Sequence, residues 1–366
     1  MGFSCGIVGL PNVGKSTLFN ALTSSSLAQT ANYPFCTIEP NIGRVAVPDE
    51  TLEHLAGVAK SEKVVPTYLD FVDIAGLVKG ANEGEGLGNK FLEHIRQVDA
   101  IVHVLRCFDS GDVNHTEANI DPVRDAEIIE TELLLSDIAL VAQKLEVAEK
   151  KAKSGEKEIL EEVELLSRLS TALNEGKPAR SLDFKEEDTK FLKIIRPLTL
   201  KPIMYVCNVE ETAVVSGNKY TSQVGGYIQG SGAMVINCSA QIEEEVAQLD
   251  DEKEKAEFLA SIGMENTGLA RLIQSGYSLL NLITYYTAGP KEARAWTIPG
   301  GTLAPQAAGI IHSDFERGFI CAETISADVF LSEGGEAAAK SNGKMRQEGK
   351  DYIVQAQDVI LFRFNV

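Results

Sequence analysis

No apolar run in this sequence approaches the roughly 18 residues a helix needs to cross a bilayer, so an integral helical membrane protein is excluded. The six cysteines, at positions 5, 36, 107, 207, 238 and 321, never fall two to four residues apart. That removes the spacing of zinc ribbons and thioredoxin-like motifs. Cys5, Cys107, Cys207 and Cys238 lie in or beside apolar runs, where a thiol behaves as a small buried hydrophobe. Positive charge is scarce: 34 Lys and Arg stand against 53 Asp and Glu, a formal net charge of -19. A chain so acidic cannot hold nucleic acid by overall phosphate attraction, and sequence-specific DNA is not an expected partner. The start of the chain has no basic, apolar and small-residue succession like that of a secretory leader. The expectation is a cytoplasmic protein with no membrane partner.

What is present is ordinary globular composition. With 44% hydrophobic and 24% charged residues over 366 positions, the chain can bury cores in two or three domains. Short apolar runs (3–9, 67–72, 100–105) alternate with helical patterns (15–23, 87–98), as in a parallel sheet covered by helices. Two more strand candidates, 202–208 and 233–237, follow only after a long interruption. Within it, Leu134, Ile138, Val141, Leu145, Ala148 and Ala152 step by four and three residues, and Ile159, Val163, Leu166, Ser170 and Leu173 repeat the rhythm. Each set draws one apolar seam, and Ser154-Gly155 breaks the pattern between them, so an antiparallel helical hairpin is expected. After a helical stretch over 268–283, short strands at 293–298, 318–325 and 359–364 read as a small β-rich domain. This last segment is the least acidic. The domain reading is therefore 1–125 with 185–281, an inserted hairpin over 126–184, and a separate 282–366.

The chemistry begins at Gly9-Leu-Pro-Asn-Val-Gly14-Lys15-Ser16, which fits G-x-x-x-x-G-K-[ST] where a strand ends and a helix begins. Glycines let backbone N–H groups curl around phosphates, and the positive helix end faces the anion. Lys15 reaches the outer phosphates, and the Ser16 hydroxyl can ligate Mg²⁺. The phosphate-side set is Asn12, Val13, Gly14, Lys15, Ser16 and Thr17. A strand ending in Asp73-Ile-Ala-Gly76 places a carboxylate where a Mg²⁺ water could be held. Glycines 80, 84, 86 and 88 follow, and would let the segment rearrange when a γ-phosphate leaves.

With these motifs in place the sequence resembles the YchF family, the Obg-related ATPase branch of the P-loop GTPases, nearly end to end. The resemblance is carried by residues 9–17, by Asn32-Tyr-Pro-Phe-Cys-Thr-Ile-Glu-Pro-Asn41, by 71–88 with its Gly-Glu-Gly-Leu-Gly run, and by Gly349-Lys-Asp-Tyr-Ile-Val. It implies an α/β P-loop GTPase-like domain, an inserted antiparallel helical hairpin and a C-terminal β-grasp-like TGS domain. It also implies ATP as ligand, the ribosome or its large subunit as partner, and Thr37 beside Ser16 on Mg²⁺. Asn12 resembles the asparagine that holds K⁺ in potassium-stimulated relatives.

One departure informs base choice. A GTPase of this class carries Asn-Lys-x-Asp, whose carboxylate accepts two guanine N–H donors, whereas this chain has Asn208-Val209-Glu210-Glu211. Lys is replaced by Val, and the last carboxylate stands one methylene further out, so the paired acceptor geometry is lost. The resemblance implies that Asn208 and the segment at Val209, with Glu211, face adenine instead, and Ser239 matches the second base-contacting loop. Leu77 occupies the position of the water-orienting Gln and cannot serve. Either hydrolysis is slow or another polar group acts, and His115, beyond a strand edge, is the topological candidate. The reading is an ATP-binding, Mg²⁺-dependent hydrolase working as a switch. Its rivals are a GTPase with relaxed base choice and a nucleotide-sensing scaffold with negligible hydrolysis.

Overall fold

The computed structural model describes residues 3–24, 28–29, 41–74, 87–109, 120–153, 155–249 and 251–365. In chain order the first elements are β1 (Phe3–Val8), α1 (Lys15–Ser24), β2 (Ala28–Gln29), β3 (Asn41–Ala46), α2 (Glu50–Ala59), β4 (Lys63–Val65), β5 (Tyr68–Asp73), α3 (Leu87–Gln97) and β6 (Ala100–Arg106). Then come α4 (Pro122–Ala152), α5 (Lys157–Asn174), α6 (Asp188–Ile195), β7 (Ile203–Asn208), α7 (Lys219–Tyr227), β8 (Met234–Cys238), α8 (Ala240–Ala247), α9 (Glu252–Ser261) and α10 (Gly268–Leu279). Helices α11 (Ala304–Ile311), α12 (Ser313–Arg317), α13 (Ala327–Glu333) and α14 (Glu336–Ser341) intersperse β9 (Leu282–Ala288), β10 (Glu292–Pro299), β11 (Phe319–Ser326), β12 (Arg346–Glu348) and β13 (Asp358–Phe364).

The chain divides into two units, residues 1–44 with 70–272, and residues 45–69 with 273–366. The first contains a seven-stranded sheet in the order β2-β3-β5-β1-β6-β7-β8, with β1, β6, β7 and β8 parallel. β6 is buried at all its positions, and β7 likewise, as strands covered on both faces must be. Cys5, Cys107, Cys207 and Cys238 all sit in this core, as small hydrophobes. Among the described residues no helix is long and apolar enough to cross a membrane.

The hairpin forms with a longer first arm than the seam suggested. α4 begins at Pro122, capped by the Asp121 carboxylate on Arg124 N, and its first turns bury Ala126, Ile129 and Leu133 in the sheet core. From Leu134 onward it packs against a separate cluster, in which Val141 and Ala148 are buried with Leu165, Leu166, Leu169 and Leu173 of α5. The four residues joining them include Gly155 at φ 77°, a link that permits only an antiparallel return. Asp137 fastens the arm at its middle: the buried carboxylate accepts Leu198 N, Thr199 N and Thr199 Oγ1 at 2.8, 2.8 and 2.6 Å.

The second unit corrects the domain reading. Its six-stranded sheet runs β12-β11-β13-β9-β10-β4, so residues 45–69, assigned from sequence to the nucleotide-binding domain, belong with the C-terminal strands. The reason is long-range: β4 pairs in parallel with β10, and Leu52 and Leu55 of α2 bury against Tyr286, Ala293, Ala295 and Phe330. Asp49 caps α2 through Leu52 N and accepts the Tyr286 hydroxyl at 2.9 Å. The stretch 282–283, read as helix from sequence, opens β9. The hairpin β9–β10, parallel β13 beside β9 and antiparallel β11 beside β13 give the expected β-grasp-like arrangement.

Candidate nucleotide site

The phosphate loop joins β1 to α1 in the turn the motif demands. Gly14 adopts φ 92° and Asn12 φ 64°, and a side chain at Gly14 would strike both a left-handed backbone and the Asn208 amide. A Cβ at Gly9 would stand 2.8 Å from the Val104 carbonyl, so this glycine is required by close packing against β6. Val13 is buried and anchors the loop, while the Leu18 N–H donates to the Gly14 carbonyl at 3.0 Å as the first turn of α1 begins. Ser16 is exposed at the start of the helix, where N–H groups and the helix dipole favour an anion.

Strand order then brings the second motif to the first. β5 and β6 flank β1, and the Lys15 ammonium lies against the Asp73 carboxylate, with side-chain exposures of 12% and 16%. From the other side comes Asn208, at the end of β7. Its Nδ2 donates to the Val13 carbonyl at 2.9 Å and its Oδ1 accepts the Ala240 N–H at 3.0 Å. One amide therefore ties the phosphate loop to the start of α8. An amide carries two donors and two lone pairs, so a bond to a base remains open to it.

These elements line a cleft of about 1190 Å³. Of the expected residues, Asn12, Gly14, Lys15, Ser16, Thr17, Asn208, Val209, Glu211 and Ser239 line it. Val209 is buried and its N–H continues the sheet ladder to the Cys238 carbonyl at 2.9 Å. Ser239 caps α8, its hydroxyl facing Ile242 N at 3.5 Å. Glu210 is committed elsewhere, its carboxylate accepting Asn218 Nδ2 at 3.2 Å. Thr37, Gly76, Leu77 and His115, with glycines 80, 84 and 86, lie outside the described residues.

Sequence reasoning missed Phe108 and Asp109, which line the cleft where β6 ends. Buried Arg106 sits under the Phe108 ring, 4.9 Å from its centroid. Asp109 accepts the Tyr220 hydroxyl at 2.6 Å and Lys219 Nζ at 3.3 Å. The Tyr220 hydrogen bond, aided by the Lys219 ammonium, holds its carboxyl below the usual range. An aromatic ring directly after a buried strand was the available indication.

The donor set suits Mg²⁺. Ser16 offers a hydroxyl and Asp73 a carboxylate, both hard oxygen donors. Among the described residues no group of three His, Cys, Asp or Glu could hold an ion.

Residues 4–144 match the family model described as 50S ribosome-binding GTPase. Residues 282–365 match the YchF-GTPase C-terminal model, described as a protein of unknown function. The sequence is 52% identical to the ribosome-binding ATPase YchF of Bacillus subtilis (strain 168) and 50% identical to that of Escherichia coli O157:H7, each over 100% of both chains. The structure of the Schizosaccharomyces pombe YchF GTPase matches with a TM-score of 0.87 at 38% identity, covering 99% of this chain and 98% of that one. With a phosphate loop, an adjacent strand-end aspartate, an altered base-side loop and likeness across its whole length, the chain belongs to the YchF family.

Proposed function

We propose that this chain is a Mg²⁺-dependent ATPase that works in the cytoplasm as a ribosome-associated switch. The observation that carries the nucleotide reading is the Lys15–Asp73 contact at a loop braced by Asn208: a cation and an oxygen donor stand together where a triphosphate and its metal would lie. Ser16 and Thr37 would hold Mg²⁺, which neutralises phosphate charge when bound, and Lys15 would take the outer phosphate oxygens.

Base choice rests on the far end of the cleft. Val209 stands where a guanine-selective loop carries Lys, and Glu211 is exposed beside it. Without a correctly placed aspartate, guanine N–H donors find no paired acceptor, and the ring of Phe108 offers a face that adenine can use. Equilibrium titration of ATP and GTP tests this: ATP should bind more tightly, and equal or tighter GTP binding overturns it. The rival, a GTPase with relaxed base choice, takes its support from the family model for residues 4–144, described as a GTPase.

For hydrolysis, His115 is the proposed water-positioning group, and Asn12 the holder of K⁺. His115→Ala should slow single-turnover ATP hydrolysis by roughly 10²–10⁴ with ATP affinity retained. A wild-type rate would leave the water to backbone groups near Gly76, and no K⁺-over-Na⁺ preference would return Asn12 to a purely structural role. Ribosome association is supported by relatives named ribosome-binding ATPases at 50 to 52% identity. Co-sedimentation with ribosomes or large subunits tests it.

A further inference from the structure

A second cavity in the nucleotide-binding unit, of about 790 Å³, shares no lining residue with the phosphate-loop cleft. It lies at the opposite end of β7, where Ile203 and Tyr205 line it while Asn208 lines the first. One face of α4 supplies Glu127, Glu130 and Thr131 at helical spacing, and the end of α7 supplies Tyr227.

Its polar groups are unevenly satisfied. Glu130 Oε1 accepts Arg180 Nη2 at 2.6 Å and the Tyr205 hydroxyl at 3.2 Å. Arg180 is further engaged with the Thr199 carbonyl at 3.2 Å. Glu130 Oε2 has no protein hydrogen bond among the described residues, although the side chain is only 15% exposed. Glu127 makes no ion pair among them. The Tyr205 and Tyr227 rings meet edge to face, their centroids 6.2 Å apart. Burial first, then the Glu130 and Glu127 carboxylates, raises the Tyr227 hydroxyl above its ordinary range, and all three residues line the one cavity.

We infer that this cavity is a second ligand site, for an alkylammonium group. Glu130 Oε2 and Glu127 would accept its N–H donors, while the tyrosine rings and the apolar walls at Leu134, Ile203 and Ile228 cover the carbon chain. An anion meets two carboxylates, and the charge of the nearby guanidinium is already paired with Glu130. A neutral apolar molecule strips water from Glu130 Oε2 and returns no bond. Among the described residues no third ligating side chain joins the two carboxylates, so a metal ion would keep most of its water and gain nothing from the apolar walls. The ammonium could come from a free polyamine or from a lysine side chain of a basic polypeptide.

Calorimetric titration of the full chain with 1,5-diaminopentane and with Nα-acetyl-lysine amide tests the site, with 1-pentanol as the neutral control. At least one amine should bind with a single site per chain. Glu127→Gln, an exposed change that leaves the Arg180–Glu130 pair intact, should weaken it about tenfold. Thr131→Lys, which tethers a cation in the cavity, should abolish it. Binding of the diamine alone assigns the free amine, and binding of the lysine amide alone assigns a protein side chain. Undetectable binding of both amines, equal binding of 1-pentanol, or binding indifferent to both substitutions and suppressed by salt alone overturns the inference. The last result is what diffuse attraction to an acidic chain would give.

Discussion

The Lys15 ammonium and the Asp73 carboxylate touch, although 58 residues separate them. In the free protein the aspartate supplies the counter-charge that phosphate would supply in the complex. A triphosphate bound on this loop would have to take the lysine from the carboxylate, which would then be available to a metal-bound water. On the proposed reading the two motifs compete in one state and cooperate in the other.

Lys15→Ala should lose most triphosphate affinity, because a charge-assisted contact to phosphate is worth about 1.5 to 3 kcal/mol. Asp73→Asn separates the two roles of the carboxylate. In EDTA it should bind ATP more tightly than the wild type, since the competitor for Lys15 is gone. In Mg²⁺ that advantage should vanish or reverse. Equilibrium titration in both buffers checks the pair, and equal affinities throughout would show that the contact does not restrain the lysine.

Asn208→Ala leaves the Val13 carbonyl and the Ala240 N–H without partners in a buried setting. Each orphaned group costs roughly 1 to 3 kcal/mol. Denaturant unfolding should show that loss, and ATP affinity should fall with it because the loop is no longer held in register. Stability matching the wild type would mean that the loop keeps its shape without the bracket.

His103, in the middle of β6, is wholly buried, neither ring nitrogen has a hydrogen-bond partner among the described residues, and burial lowers its pKa from 6.5 to about 3. Below pH 6.5 the unfolded chain binds a proton that the folded chain refuses. Its contribution is therefore fully present above that pH and is lost as pH falls, by up to roughly 1.4 kcal/mol per pH unit. His103→Leu should show a shallower loss of stability over the same range in denaturant unfolding against pH. Parallel curves would indicate that the imidazole takes up its proton in the folded state.

The hairpin can be tested for ribosome contact only at its distal part. Ala126, Ile129 and Leu133 belong to the sheet core, so removing the whole expected insert would uncover it. Excising 146–163 and closing the gap with a short Gly-Ser linker should spare ATP binding and weaken ribosome co-sedimentation. Undiminished co-sedimentation would move the contact away from the hairpin tip.

Much of the site was legible in the sequence because it is local. A strand, a glycine turn and a helix start within 16 residues specify the phosphate loop, and the left-handed backbone at Gly14 follows from which residue tolerates it. The hairpin was legible because its seam repeats at helical spacing. What tertiary structure decided is every partnership across distance: Asp73 against Lys15, Asn208 against Val13 from 195 residues away, and Phe108 at the cleft. It also decided the membership of 45–69 in the C-terminal unit, whose three-residue strand β4 carries too little pattern to announce a partner beyond residue 290. Periodicity reports which face of an element is buried, not against what. Strand order decides that, and placing β1 between β5 and β6 brings the lysine of the first motif to the aspartate of the second.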